Sequence, residues 1–372
     1  MKPIYVPILK AKKGEFDALT HLHERATNQV IPWFDVPPAP ANEKSDAFLN
    51  KTAQGIAKVC AGKQIFMDLP RWATNAQTEG GEHVIPYFLN QLELLDVSVN
   101  PVVEYVSWDD PVYANAITSI TLKTEQNFCI RLNMDVDTVA DIIADPDYVS
   151  EHILDIVNTL ELNPVKTYLL VDFGDVSGQS HFIEEMVDKA TQAISLVQGI
   201  GFSKIMLAGS SLPSSIELAV KDRNSTGLVL RKEMMLWQIL LSEKPNLNII
   251  FADYGVRNPS AGDESMPYPN ANGKIRYTLD KHYFIARGHA LNADLKYQQF
   301  FNLAKIIINS KHFFGAKFSW GDERILFYSN STTQTGNQTT WISIDTNHHI
   351  ETVVMEVLEF NRDLATIKAR NL

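Results

Sequence analysis

Short apolar runs alternate with longer stretches in which apolar residues return every three or four positions, and this beat repeats along most of the chain. The run at 4–9 is followed by Phe16, Leu19, Leu22 and Ala26 at helical spacing, which predicts one strand and then one helix. The same reading predicts strands at 29–36, 64–69, 99–106, 128–132, 167–174, 204–208 and 247–252. Pro37, Pro38 and Pro40 close the second of these, because proline cannot continue a ladder. Helices are expected between the strands at 43–60, 84–95, 109–125, 137–144, 148–161, 180–198 and 228–241. In the sixth interval Phe182, Ile183, Met186, Val187, Ala190, Ile194 and Val197 share a face, Ser180 is placed to cap it, and Gly199 and Gly201 stop it.

Strands that are short and apolar throughout, each followed by a helix, are the signature of a parallel sheet with crossover helices. Eight such units favour an α/β fold of the (β/α)₈ TIM-like barrel type over an open doubly wound sheet. The first turn, Lys10-Ala11-Lys12-Lys13-Gly14, carries no glycine-rich dinucleotide fingerprint, and the irregular period excludes a solenoid. The pattern changes after Asp253. A loop dense in Pro, Gly, Asn and Ser at 257–273 is too long for a plain connector and is expected to be a lid or an insertion. Segments 274–279 and 282–287 around Asp280-Lys281 predict a β-hairpin inserted after strand eight, before a helix at 294–309. A polar stretch at 329–340, the run WISIDTNHHI and a final helix near 350–361 complete a C-terminal extension. The expected division is a barrel domain at 1–310, which includes the insertion at 256–291, with the extension at 311–372 packed on it.

At 372 residues, 45% hydrophobic and 21% charged, the composition is that of an ordinary globular protein with a large core. A net charge of −11 argues against nucleic acid or an anionic membrane as a partner held by bulk charge, and leaves room for a local basic patch. No apolar run reaches the length of a membrane span, and Lys10, Lys12 and Lys13 fall too early for a signal peptide, so a cytoplasmic setting is expected. Cys60 and Cys129 both lie in apolar surroundings and are expected to be buried thiols.

The chemistry gathers at strand ends. The stretch TYLLVDFG ends a buried run in Asp172, and the same device recurs in FDV at Asp35, FMDLP at Asp68, VVEYV at Glu104 and IIFADYG at Asp253. In a barrel the carboxyl ends of all strands share one mouth, so these acids are expected to face one another there, with Arg131 and Lys10 offsetting part of their charge and Tyr254 beside them. A capping role is the plainer alternative for Asp35 or Asp172. Two mechanisms suit the set. Paired carboxylates act as acid and base in glycoside hydrolysis. Three of them, Asp68, Asp172 and Asp253, would instead hold Mg²⁺ or another divalent cation for phosphoester chemistry, with Lys10, Arg131 or Arg287 on the phosphate.

Arg276, Tyr277 and Arg287 in the hairpin are candidates for a basic wall beside the mouth. Of the consecutive pair His348 and His349, one is expected inward and one outward, with His349 the candidate for proton transfer. No GxSxG or HExxH occurs, which disfavours triad hydrolases and zincins.

The opening YVPILKAKKGEFDAL, the strand ends VDFG and FADYG, the hairpin IRYTLDKHYFIARG, and the tail segments FSWGDE and WISIDTNHHI together resemble the Beta protein family of phages and bacteria. That resemblance spans nearly the whole chain. It implies a barrel-like fold and a setting in phage–host conflict, with no activity to carry over. The tail reads Trp341-Ile342 where the family pattern has Trp-Arg, so no anion role transfers to that position. The expectation is therefore a hydrolase acting on a phosphate- or sugar-bearing small molecule through an acidic barrel mouth. The alternative is a non-catalytic scaffold that binds a phage or host protein.

Overall fold

The computed structural model describes residues 3–122, 126–261, 271–293 and 295–370, with the side chains of 367–370 excepted. Eight parallel strands close into a barrel: β1 (Tyr5–Lys10), β2 (Trp33–Asp35), β3 (Gln64–Asp68), β4 (Ser98–Glu104), β5 (Cys129–Asn133), β6 (Tyr168–Asp175), β7 (Lys204–Ser210) and β9 (Ile249–Asp253), which pairs back onto β1. One strand precedes the last of these in the chain and stays outside the barrel, namely β8 (Ser225–Leu230). The expected (β/α)₈ architecture is the observed one.

Alternation along the strands divides the core in two. Val6, Ile8, Trp33, Phe66, Val102, Leu170, Met206 and Ala252 fill the barrel interior. Tyr5, Leu9, Phe34, Met67, Ile130, Val171, Leu207 and Phe251 point outward beneath the helices. The helix Ile183–Ile200 shows the coupling of pattern to packing: Met186, Ala190, Ala193, Ile194 and Val197 are its buried residues, and Gly201 ends it at φ +111°. Ser180 lies ahead of that helix, whose first cap position is Phe182 with no side-chain cap. The expected helix at 109–125 is shorter, Pro111–Thr118 capped by Asp110, and 123–125 lie outside the described residues.

After the barrel come β10 (Asn272–Leu279) and β11 (His282–Ala290), the expected hairpin, but with a third partner. β8 pairs antiparallel to β11, giving a sheet in the order β10-β11-β8. Sequence pattern assigns 228–230 to a helix, and the helix in fact begins at Lys232. The reason is that STGLVL is half-exposed edge strand running straight into the apolar face of the next helix, and such a short run carries too little period to separate the two. The helix Gln299–Ile308 covers this sheet and Trp320–Asn330 packs against that helix, over a core of their own with Ile275, Tyr277, Phe300, Leu303, Tyr328 and Trp341. Most of the loop expected at 257–273 lies outside the described residues, as does Asp294 of the expected helix.

The largest departure is the tail. The end of the polar stretch, WISIDTNHHI and the final helix are parts of one helix, Gln338–Arg370, while 331–337 form the loop that leads into it. Ser343, Asp345, Thr346, Asn347, His348, His349, Glu351 and Thr352 are all buried, so this part of the helix is enclosed on every side and shows no polar stripe. It runs between the barrel and the second sheet. Both histidines face inward, not one of them, because packed elements lie on both sides of the helix.

Gly321 marks how closely the helix Trp320–Asn330 approaches it: a Cβ there would sit 2.6 Å from the Ile344 carbonyl and 3.0 Å from the His348 backbone nitrogen. Gly321→Ala is therefore expected to lower stability by about 1–3 kcal/mol, read from thermal and denaturant unfolding.

Candidate functional site

The inward positions of successive strands carry Lys10, Asp35, Asp68, Glu104, Arg131 and Asp172 to the carboxyl end of the barrel. There, Arg131 is the hub. Its Nη1 donates to Asp68 Oδ2 at 2.6 Å and to Glu104 Oε1 at 3.3 Å, and lies 3.7 Å from Asp35 Oδ1. Its Nε and Nη2 both donate to Asp172 Oδ2, at 2.9 and 2.7 Å. Nη2 also reaches the Tyr254 hydroxyl at 2.5 Å, and that hydroxyl donates to the same Asp172 oxygen. Trp33 lies under the guanidinium at 5.6 Å and donates from its indole nitrogen to Asp35. Asn133 donates to Glu104 Oε2 at 2.9 Å.

Four carboxylates with one guanidinium, all nearly out of water, cannot all ionise without cost. Burial raises Asp35 to about 6, against the pull of Arg131. Burial and the neighbouring Glu104 raise Asp68 to about 8. Burial also raises Glu104. The same burial disfavours the Arg131 charge, but Tyr254, Asp172, Glu104 and Asp35 outweigh it and hold the guanidinium cationic. Asp68 thus holds its proton to higher pH than Asp35 does, although both meet the same guanidinium nitrogen.

The mouth is tightly filled. A crevice of about 10 Å³ opens beside Lys10, Asp35 and Tyr254, and one of about 20 Å³ beside Asp68, Glu104 and Tyr113. Lys10 Nζ donates to the Ala261 carbonyl at 2.9 Å, which ties the segment 257–261 over the first crevice. Arg257 in that segment pairs with Glu15 at 3.1 Å.

Asp253 does not join the ring. It follows Ala252, an interior residue, so it points outward, and Tyr254 takes the inward place. On the outer face Asp253 accepts from Tyr5 at 2.6 Å and meets His349 Nε2 at 3.0 Å, while His349 Nδ1 meets Thr278 Oγ1 at 2.9 Å. Arg231, fully buried, lies 3.7 Å from Asp253 and 2.5 Å from Glu356. Burial opposes the Asp253 charge, yet His349 and Arg231 prevail and hold its pKa below the usual range. Burial lowers His349. Asp253 and His349 therefore bind the barrel to the C-terminal helix, at a place closed to substrate. The expected cation set of Asp68, Asp172 and Asp253 is split by the same alternation, and Arg131 fills the space between the other two. Among the described residues no group of three or more His, Cys, Asp or Glu side chains is arranged to hold a metal ion.

The hairpin residues form no wall at the mouth. Arg276 pairs with Asp345 at 2.9 Å and donates to the Val256 carbonyl. Tyr277 donates to Asp322 and stacks on His348 at 3.8 Å between centroids. Arg287 holds the Val220 and Lys221 carbonyls and Glu217. Sequence reasoning passed over Glu15, Arg231, Glu233 and Glu356. Arg231 sits inside the misassigned 228–241 helix, and Glu15 and Glu356 sit on helices where a carboxylate reads as solvated.

Cys60 and Cys129 are both buried and free. Among the described residues no helix is long and apolar enough to cross a membrane. A family model described as Beta protein matches residues 5–355. No curated protein sequence matches the chain. Among solved structures the chain is similar to Yersinia pestis DHPS with a pterine-sulfa conjugate, at 14% identity and a TM-score of 0.38, over 69% of this chain and 88% of that one. It is also similar to dihydropteroate synthase from Anaplasma phagocytophilum with bound 6-hydroxymethylpterin-monophosphate, at 11% identity and a TM-score of 0.31, over 69% and 95%. Likeness at that level leaves the chemistry to the residues themselves.

Those residues make a titration prediction. A carboxyl whose folded pKa is raised stabilises the fold fully below its unfolded value and loses that contribution as pH rises through the folded one. For Asp68 the loss runs from the unfolded value of 3.8 up to about 8. Asp68→Asn removes this group, so the stability of wild type relative to the variant is expected to decline steadily across that window. Denaturant unfolding at a series of pH values checks it, and a difference independent of pH contradicts it.

Proposed function

The chain belongs to the Beta protein family, and we propose that it is a hydrolase of glycosidic bonds whose acid and nucleophile are Asp68 and Asp35, two carboxyls too close to hold a water between them. One observation carries the reading: two inward carboxylates on adjacent, in-register strands share Arg131 Nη1, yet their pKa values are driven apart, to about 8 and about 6. Such a split assigns the roles. Asp68 gives its proton to the leaving atom as the bond from the anomeric carbon breaks. An Asp35 oxygen bonds to that carbon in its place, and the Asp68 carboxylate then takes a proton from the water whose oxygen displaces Asp35. The positive charge that builds on the sugar ring in the transition state is stabilised by the surrounding carboxylates.

The same charge balance favours a sugar over a phosphate at the reacting centre. With Asp68 carrying its proton, Asp35, Glu104 and Asp172 still outnumber Arg131 and Lys10, so the mouth disfavours an anion brought into it. Arg131 positions the carboxylates and keeps the two working ones at different affinities for the proton.

A second reading has an observation of its own. Crevices of about 10 and 20 Å³ admit no sugar, which suits a scaffold whose buried mouth is structural and whose surface meets a phage or host protein. Catalysis instead requires the 257–261 segment to leave Lys10 and expose Asp35.

Turnover of aryl glycosides separates the two. The hydrolase reading expects a bell-shaped rate profile with limbs near about 6 and about 8, and a fall in kcat of about 10²–10⁴ in Asp68→Asn with its fold intact. A folded Asp68→Asn protein that keeps the full biological effect in phage-challenged cells favours the scaffold.

A further inference from the structure

Outside the mouth lies a cleft of about 700 Å³, the size of a small-molecule site, between the helices Lys13–Thr20 and Ser45–Cys60 and the start of the helix Gln338–Arg370. Its charge runs against that of the protein. The chain carries −11, whereas the cleft is lined by Lys12, Lys13, Lys51, Lys58 and Arg257 against Glu15 and Asp17 alone. Lys51 and Lys58 stand two helical turns apart and so present their ammonium groups on one face. The Lys13–Thr20 helix also begins at the cleft, with no side chain capping its first turn, so backbone N–H groups add to the positive end.

The floor is apolar and held in place. Phe16 and Phe48 line it, and Gly55 lies so close to the Phe16 ring that a Cβ there would come within 2.5 Å of Cε2. A flat ring has a seat on this floor beside the cations.

The third feature is Glu15. It is 1% exposed, Oε1 accepts from Arg257, and Oε2 finds no hydrogen-bond partner among the described residues. A buried carboxylate oxygen left without a donor is costly, and it calls for a ligand that brings one. Glu15 and Arg257 line both this cleft and the small crevice at Lys10 and Asp35, so the pair is the partition between them.

We propose that the cleft binds a nucleoside monophosphate, with the phosphate among Lys13, Lys51 and Lys58, the base on Phe16 and Phe48, and a ribose hydroxyl or base amine donating to Glu15 Oε2. An anion, an apolar ring and a neutral donor are the three things this surface complements, and that ligand class carries all three. The placement deepens the glycosidase reading and rests on it only for direction: the sugar of the bound ligand lies at the partition, with the two working carboxyls of the mouth beyond.

Calorimetric titration of the whole chain with adenosine monophosphate, adenosine and inorganic phosphate tests the assignment. The nucleotide is expected to bind more tightly than phosphate. Lys51→Ala/Lys58→Ala, at exposed positions that leave the fold alone, is expected to weaken the nucleotide by about tenfold or more and adenosine by less than about twofold. Asp68→Asn is expected to leave nucleotide affinity within about twofold. The proposal is overturned if the nucleotide binds no more tightly than inorganic phosphate, if the lysine pair leaves its affinity unchanged, or if Asp68→Asn alone abolishes binding. Lysine-dependent nucleotide binding in a protein that turns over no glycoside upholds the cleft and removes the hydrolase reading, so the two fail separately.

Discussion

A guanidinium sealed inside a barrel has to be answered by carboxylates, and the carboxylates have to be answered by it. Arg131 stands at that balance point. Removing either side leaves a buried charge uncompensated, a change that costs about 3–5 kcal/mol in comparable pairs. The partners come from β2, β3, β4 and β6, so the balance exists only when those strands reach the same level in the closed sheet. A slip of one residue in any of them would turn its acid outward and set an apolar side chain against the guanidinium. Strand register and site chemistry are thus one condition.

A second balance of the same kind holds the outer sheet to the barrel. The helix Gln338–Arg370 brings Asp345, His348, His349 and Glu356 into an interior, and each is met there by a partner on another element: Arg276, Asp322, Asp253 and Arg231. Hydrophobic contact alone would let the helix rotate or slide, whereas these directional pairs fix its rotation and depth. The acids and bases that sequence reasoning offered for catalysis therefore divide. Those at inward barrel positions meet at the mouth, Asp253, His349, Arg276 and Tyr277 serve this junction, and Arg287 pins the segment 217–221 to the outer sheet.

Much of this was legible and some was not, for identifiable reasons. The barrel is written in the period of its strands and helices, and Asp35, Asp68, Glu104, Arg131 and Asp172 follow from their strand-end places. Asp253 stands at an equally good strand end but on the opposite face, and counting alternate residues from Ala252 would have set it apart from Tyr254. The tail defeated periodicity because a helix enclosed on all sides needs no stripe, and its partners, such as Tyr5 for His349, come from the far end of the chain. β8 was lost because an edge strand of six residues that flows into a helix leaves no punctuation between them. The Glu15 cleft was invisible to any local pattern, since its lysines belong to different helices and meet only after folding.

The junction also sets an order of events. Tyr5 and Asp253 reach their partner His349 across a separation of 344 residues in the first case and 96 in the second. On a ribosome the barrel strands emerge first and can pair, but β1 and β9 present a buried phenol and a buried carboxylate to water until the helix Gln338–Arg370 arrives. Completion of this junction thus waits until His349 has been made, and contacts so distant in sequence slow that step. A chain halted before His349 would hold a barrel with its seam undressed, and quality control would meet an exposed polar gap where the finished protein has a helix.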